Sequence, residues 1–206
     1  MGLSREAQGP AAAALHRREQ PARSLADDAD KVARACHAIA VRFHRGGKLV
    51  VFGSGGPTTD AQHISVEFVH PVIVGKRALP AIALTNDVAT VTGIAGREGL
   101  SEVFAHQLRY LAEPEDVALG LSSDGDDLAV LRGLEVAAEH GLLTVALLGG
   151  DGGRIAAAVA AEHLLLARSD DPLVVKEVHV TTYHLLWELV HVFFEQPGVL
   201  GPEVVG

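Results

Sequence analysis

Between Leu49 and Ala167 the chain repeats one pattern: a short apolar run, a break rich in Gly, Ser or Asp, then a stretch with helical spacing. The apolar runs are Leu49–Phe52, Ala78–Leu84, Val117–Leu121, Leu142–Leu148 and His163–Ala167. Short continuous apolar runs are strands buried on both faces, and such strands with helices between them form a parallel sheet covered on both sides. The helices are expected over Asp60–Val69, Val88–Ala95, Glu102–Leu111, Leu128–His140 and Gly152–Ala160, with a long closing helix from about Leu173 to Glu195. Upstream, Ser24 reads as the N-cap of a helix with Asp27, Asp28 and Asp30 in its first turns, ended by Gly46-Gly47. Residues 1–23 are Ala-rich, broken by Gly9, Pro10 and Pro21, and read as an N-terminal extension holding a short, loose helix. One domain over 24–206 follows.

Composition narrows the function classes. Lys and Arg number 17 against 26 Asp and Glu, a formal charge of −9. That balance lacks the basic footprint of a nucleic-acid binder. No apolar run reaches the ~18 residues a membrane span requires. The N-terminal Ala/Leu run is too short for a signal-peptide core, and Glu6 spoils a myristoylation pattern. A single cysteine, Cys36, excludes an intrachain disulfide and fits a reducing cytoplasm.

In an open parallel sheet ligands bind beyond the carboxyl ends of the strands, so the Gly/Ser-rich junctions come first. Ser54, Gly55 and Gly56 follow the first run and open a helix. Glycines let backbone approach an anion, and a helix N-terminus offers free N–H groups. The loop is neither a Walker A nor a GxGxxG motif, and a tight turn without a ligand fits it equally. Within that helix His63 and Glu67 stand at i, i+4, on one face. They read either as a surface pair, or as metal ligands, or as a base with its orienting partner. The second junction carries Ser122, Ser123, Asp124, Asp126 and Asp127. Its hydroxyls can donate to a phosphate, whereas its carboxylates repel one, and Asp126 or Asp127 serves as N-cap of the next helix. The closing helix places Glu177, His184, Glu188 and His191 on one polar stripe. Its remaining faces are apolar, which points to packing inside the molecule or at a subunit interface.

Five segments, GSGGPTTDAQHISVEF, LPAIALTNDVATVTGIAG, EDVALGLSSDGDD, TVALLGGDGG and VVKEVHVTTYHLLWELV, occur in this order. Together they resemble the SIS (sugar isomerase) domain family over roughly Ser24 to Glu195, above all its sedoheptulose 7-phosphate (phosphoheptose) isomerases. The resemblance implies a three-layer α/β/α sandwich with a five-stranded parallel sheet, flavodoxin-like, assembled as a homotetramer with sites between subunits. It implies aldose–ketose isomerisation of a sugar phosphate through an enediol, often with zinc. In that scheme Glu67 abstracts the proton, His184 assists at the oxygens, and His63, Glu67 and His184 hold the metal. Ser54, Gly55, Gly56, Asp87, Ser122, Ser123, Asp124, Asp127 and Lys176 surround the substrate and its phosphate. The trio is expected to converge in one cavity above the sheet edge.

The chain departs from the family pattern at defined places. Pro57 replaces a serine of the first loop, removing a hydroxyl and an N–H. Asp124 and Asp127 replace hydroxyl residues of the second. Lys176 stands where zinc-containing members have a glutamine ligand, and an ammonium is not a ligand. Gly96-Arg97 replaces an Asn-Asp pair. The alternatives are therefore an isomerase with a rebuilt phosphate pocket, or a non-catalytic binding or assembly factor. The DnaA initiator-associating member of the family, which the chain also resembles, is of the second kind. A pocket for a cationic or metal-bound ligand is a third idea.

Overall fold

The computed structural model describes residues 5–196 and 198–201. Five strands, β1 (Leu49–Gly53), β2 (Ala81–Ala83), β3 (Val117–Ser122), β4 (Leu143–Gly149) and β5 (His163–Ala167), form one sheet in the order β2-β1-β3-β4-β5. Every pairing is parallel, as the continuous apolar runs require. Successive residues point to opposite faces. Leu49 and Val51 enter one core with Leu119, Val145 and Leu147, while Val50 and Phe52 enter the other with Ala146 and Leu148.

The first core is roofed by α2 (Ala29–His44), α3 (Pro57–Val69) and α8 (Pro172–Phe194). The second is roofed by α4 (Val88–Glu98), α5 (Val103–Leu111), α6 (Leu128–Glu139) and α7 (Gly153–Ala157). The expected three-layer architecture is thus present. On this face α6 approaches the sheet closely: a Cβ on Gly133 would stand 2.7 Å from the Phe52 ring. At the amino-terminal edge the buried Asp116 carboxylate ties β3 to β1, accepting from the Lys48 backbone N–H at 2.8 Å and from its ammonium.

Several boundaries differ from the sequence reading. Ser24 is not an N-cap. It lies buried inside α1 (Arg5–Asp27), its hydroxyl accepting from Gln20 Nε2 at 2.8 Å, and the break before α2 falls at Asp28. Tertiary contacts carry α1 past its prolines: Pro21 and Leu25 are buried, and Arg18 forks onto Glu177 of α8 at 2.6 and 2.8 Å. Helix α3 begins at Pro57 rather than Asp60, since proline suits the first turn of a helix. Strand β2, at the sheet edge, keeps only Ala81–Ala83 and is preceded by Pro80, which has no backbone N–H to give a ladder. Helix α7 stops at Ala157, short of Ala160, because Val159 takes a left-handed φ of 52° on the way into β5.

A β-branched residue in that region is strained by about 1–3 kcal/mol. Val159 is exposed, so glycine there sacrifices no core contact. Val159→Gly is expected to raise stability by about 1 kcal/mol in urea unfolding, after the entropic cost of glycine.

Candidate functional site

The sheet changes winding direction between β1, which leads outward to β2, and β3, which leads the other way to β4. The loops after these two strands border the crevice where ligands of doubly wound sheets sit. Ser54, Gly56 and Pro57 face Ser122, Ser123, Asp124, Asp126 and Asp127 across a cavity of about 280 Å³. The second loop is tightly built. Gly125 adopts φ 77°, and a Cβ there would meet the Gly152 carbonyl oxygen at 2.1 Å, so this turn admits only glycine.

Within the loop the carboxylates have definite partners. Asp124 Oδ1 accepts from the Ser122 hydroxyl at 3.1 Å and from the Asp126 N–H at 2.9 Å. It thereby takes up donors that an anionic ligand would otherwise use. Asp126 accepts from the Arg154 backbone N–H at 3.0 Å, which holds its carboxyl below the usual range. Asp127 caps α6, accepting from Ala129 N–H and Val130 N–H at 2.8 and 3.1 Å. Asp87 caps α4 in the same manner and lies outside this cavity.

Helices α3 and α8 both start at the carboxyl edge of the sheet and run side by side. Their facing side chains meet turn by turn. Nearest the edge, the Lys176 ammonium sits 2.7 and 2.8 Å from the two oxygens of the buried Asp60 and donates to Thr59 Oγ1 at 3.1 Å. One turn on, the Tyr183 hydroxyl meets His63 Nδ1 at 3.1 Å. Beyond that, Glu67 Oε1 lies 3.3 Å from His63 Nε2 and 3.3 Å from His184 Nε2. Trp187 Nε1 donates to the Glu67 carbonyl at 3.0 Å and fixes the backbone beneath the carboxylate.

His63, Glu67 and His184 therefore converge, as expected. They do so in the α3–α8 groove, not above the sheet edge. Glu67 is ten residues into α3, about 15 Å along its axis. Glu67 and His184 border a separate cavity of about 510 Å³, closed on one side by Val72 and Ile73. The two histidine side chains are 47% exposed, whereas Glu67 is 14% exposed. Of the polar stripe on α8, Glu177, His184 and Glu188 are exposed. His191 is buried, its ring nitrogens facing the carbonyls of Trp187 and Arg77 at 2.8 and 3.0 Å.

The trio fits a divalent metal. Its ligand atoms lie within 4.8 Å of one another. A tetrahedral zinc with bonds of ~2.0–2.1 Å separates its ligand atoms by about 3.3–3.4 Å, close to the two spacings found here. Lys176 is taken up by Asp60 and adds no fourth ligand.

Asp60, Tyr183 and Trp187 escaped the sequence reading. Asp60 had a usable signal, lying one and two turns before His63 and Glu67 on the same helix face. Tyr183 and Trp187 had none, because in an apolar helix an aromatic ring reads as core.

A model of the SIS domain matches residues 17–149. The chain belongs to the SIS-domain family. Over 182 residues it is 41% identical to the phosphoheptose isomerase of Solidesulfovibrio magneticus, covering 88% of each chain. Its fold matches the phosphoheptose isomerase structure from Francisella tularensis at TM-score 0.84 and 28% identity, over 90% of this chain and 98% of that one. The Neisseria gonorrhoeae phosphoheptose isomerase structure matches at 0.81 and 27%, over 89% and 97%. This SIS protein is thus of the phosphoheptose isomerase type, a group of phosphosugar isomerases. No helix among its described residues is long and apolar enough to cross a membrane.

Beneath the Asp60–Lys176 pair, His179 is buried, its Nε2 without a hydrogen-bond partner. Burial pushes its pKa down to about 4. An unfolded histidine takes its proton near 6.5, so protonation favours the unfolded chain. The stability held by neutral His179 is complete above pH 6.5 and is lost as pH falls from there towards 4. At 1.36 kcal/mol per pH unit the loss is on the order of 3 kcal/mol. His179→Gln is expected to flatten this part of the stability–pH curve, measured by urea unfolding at pH 7 and pH 4.5.

Proposed function

We propose that this SIS protein interconverts a ketose phosphate and an aldose phosphate of the sedoheptulose 7-phosphate kind. The observation that carries the reading is one carboxylate, Glu67, standing 3.3 Å from each of two imidazoles. A carboxylate moves a carbon-bound proton and an imidazole moves oxygen-bound protons, and an enediol route needs both. From the ketose, Glu67 takes a proton from C1 and returns it at C2, while His184 takes the O1 proton and delivers one to O2. The oxidation at C1 and the reduction at C2 balance within the sugar. His63 holds the carboxylate from the other side. A zinc ion held by His63, His184 and one oxygen of Glu67 would supply Lewis-acid polarisation of the carbonyl in place of the proton transfers by His184, whose Nε2 lone pair it would occupy. The second oxygen of Glu67 then carries the proton.

In this reading the site is completed between subunits, since within one chain Glu67 lies about 15 Å along α3 from the crevice. The phosphate meets Ser54, Gly55 and Gly56 at the start of α3 and Ser122 and Ser123 across the crevice of one copy, and a neighbouring copy brings its Glu67 to the sugar. Lys176, between the loops and the trio, offsets the nearby carboxylates; Asp87 and Asp127 act as helix caps that shape the same edge. We extend the proposal to a homotetramer with sites between subunits. It is supported by the exposed side chains of Val66, Val69, Val72, Ile73 and Val74 close to the trio, an apolar surface that a second copy would cover. A cytoplasmic location is part of the proposal, in keeping with the lone, buried, unpaired Cys36. The acidic second loop, its donors taken up by Asp124, favours the alternative of a non-catalytic binding or assembly factor.

Turnover of sedoheptulose 7-phosphate, followed by NMR with and without zinc, decides between the two. Glu67→Gln is expected to lower kcat about 10²–10⁴-fold. Equal activity in the variant, or no turnover by the parent protein, overturns the assignment. Asp124→Ser releases the Ser122 hydroxyl and removes a negative charge, and is expected to tighten sugar-phosphate binding about tenfold, or ~1.4 kcal/mol, in calorimetry.

A further inference from the structure

We infer that Tyr183 is a positioning residue that sets which ring nitrogen of His63 carries the proton, and through it the affinity of the trio for a divalent metal. The inference rests on the metal-holding reading of His63, Glu67 and His184. Tyr183 is 1% exposed, its ring packed edge-on against both histidines, with centroids 5.5 Å from His63 and 4.9 Å from His184. Its hydroxyl reaches His63 Nδ1 at 3.1 Å. A phenol is neutral near pH 7, so its hydroxyl both donates and accepts.

That double capacity matters because a neutral imidazole has one N–H and one lone pair. Without metal, His63 Nε2 faces Glu67, a carboxylate that accepts only. The proton then sits on Nε2, and Nδ1 accepts from the Tyr183 hydroxyl. With a metal on Nε2 the proton sits on Nδ1 and is donated to the Tyr183 oxygen. A backbone carbonyl at this place would serve the second state alone. The tyrosine hydroxyl serves both, so His63 passes from one to the other without losing a hydrogen bond. Partners that fix a ligating histidine are typically worth about 10–100-fold in metal affinity.

Tyr183→Phe keeps the ring and removes the hydroxyl. Thr182→Val removes a neighbouring buried hydroxyl whose partner, the Val178 carbonyl, belongs to α8 itself. Zinc titration calorimetry at one fixed pH is expected to give a Kd about 10–100-fold weaker for Tyr183→Phe and within twofold of the parent for Thr182→Val. In the metal-free parent, ¹⁵N-histidine NMR is expected to find His63 Nδ1 unprotonated and shifted upfield by an accepted hydrogen bond, with that shift lost in Tyr183→Phe. Equal zinc affinity in Tyr183→Phe, equal weakening in both variants, a protonated Nδ1 in the metal-free parent, or no zinc binding by the parent overturns the inference. None of these readouts depends on sugar turnover, so the isomerase reading stands or falls separately.

Discussion

Everything chemical in this molecule hangs on the seam where α3 and α8 lie side by side over one face of the sheet. Both helices begin at the carboxyl edge and run the same way, so residues further along one meet residues further along the other. Asp60 meets Lys176, His63 meets Tyr183, and Glu67 meets both His184 and the Trp187 indole. The seam keeps its register because its apolar underside, including Ile64, Phe68, Val178 and Leu186, is locked into the core. A slip by one turn would bring Glu67 against a different partner and leave the buried Asp60 without its ammonium. Asp60 is buried although Lys176 is partly exposed, so leaving that carboxylate unpaired is unfavourable and the pair favours this register.

Charge explains how this chain differs from the pattern it otherwise follows. Its second loop is acidic, yet each carboxylate is occupied: Asp124 by Ser122 and a backbone N–H, Asp126 by Arg154, Asp127 by the start of α6. Lys176 is likewise bound to Asp60 rather than free in the groove. The substitutions therefore come as satisfied local structures, not as loose charges. Helix caps and an Asp–hydroxyl turn rigidify the rim while reducing the donors available to a phosphate, two effects that pull function in opposite directions.

The sheet, its parallel sense and most helices were legible because burial on both faces leaves an uninterrupted apolar run, and the helices between carry a clear period. The convergence of His63, Glu67 and His184 came from the family resemblance. Spacing alone allows a surface pair as readily as a ligand pair. The misread boundaries have separate causes. Helix α1 runs on through Ser24 because Arg18 ties it to Glu177 of α8, α7 stops where the exposed Val159 turns left-handed, and β2 is a short edge strand preceded by Pro80.

Local chemistry, being a matter of residue type and spacing, was enough to define the class of fold and the crevice between β1 and β3, while a carboxylate with two imidazoles as the chemical core followed from the family resemblance. It could not place that core about 15 Å along α3 from the crevice, nor assign Lys176 to Asp60, bury His191 and His179, or bring a tyrosine hydroxyl to His63. Those outcomes depend on which faces of two helices 120 residues apart come into contact. No periodicity within either helix encodes that choice. It is made when the apolar undersides of both are driven onto the same sheet.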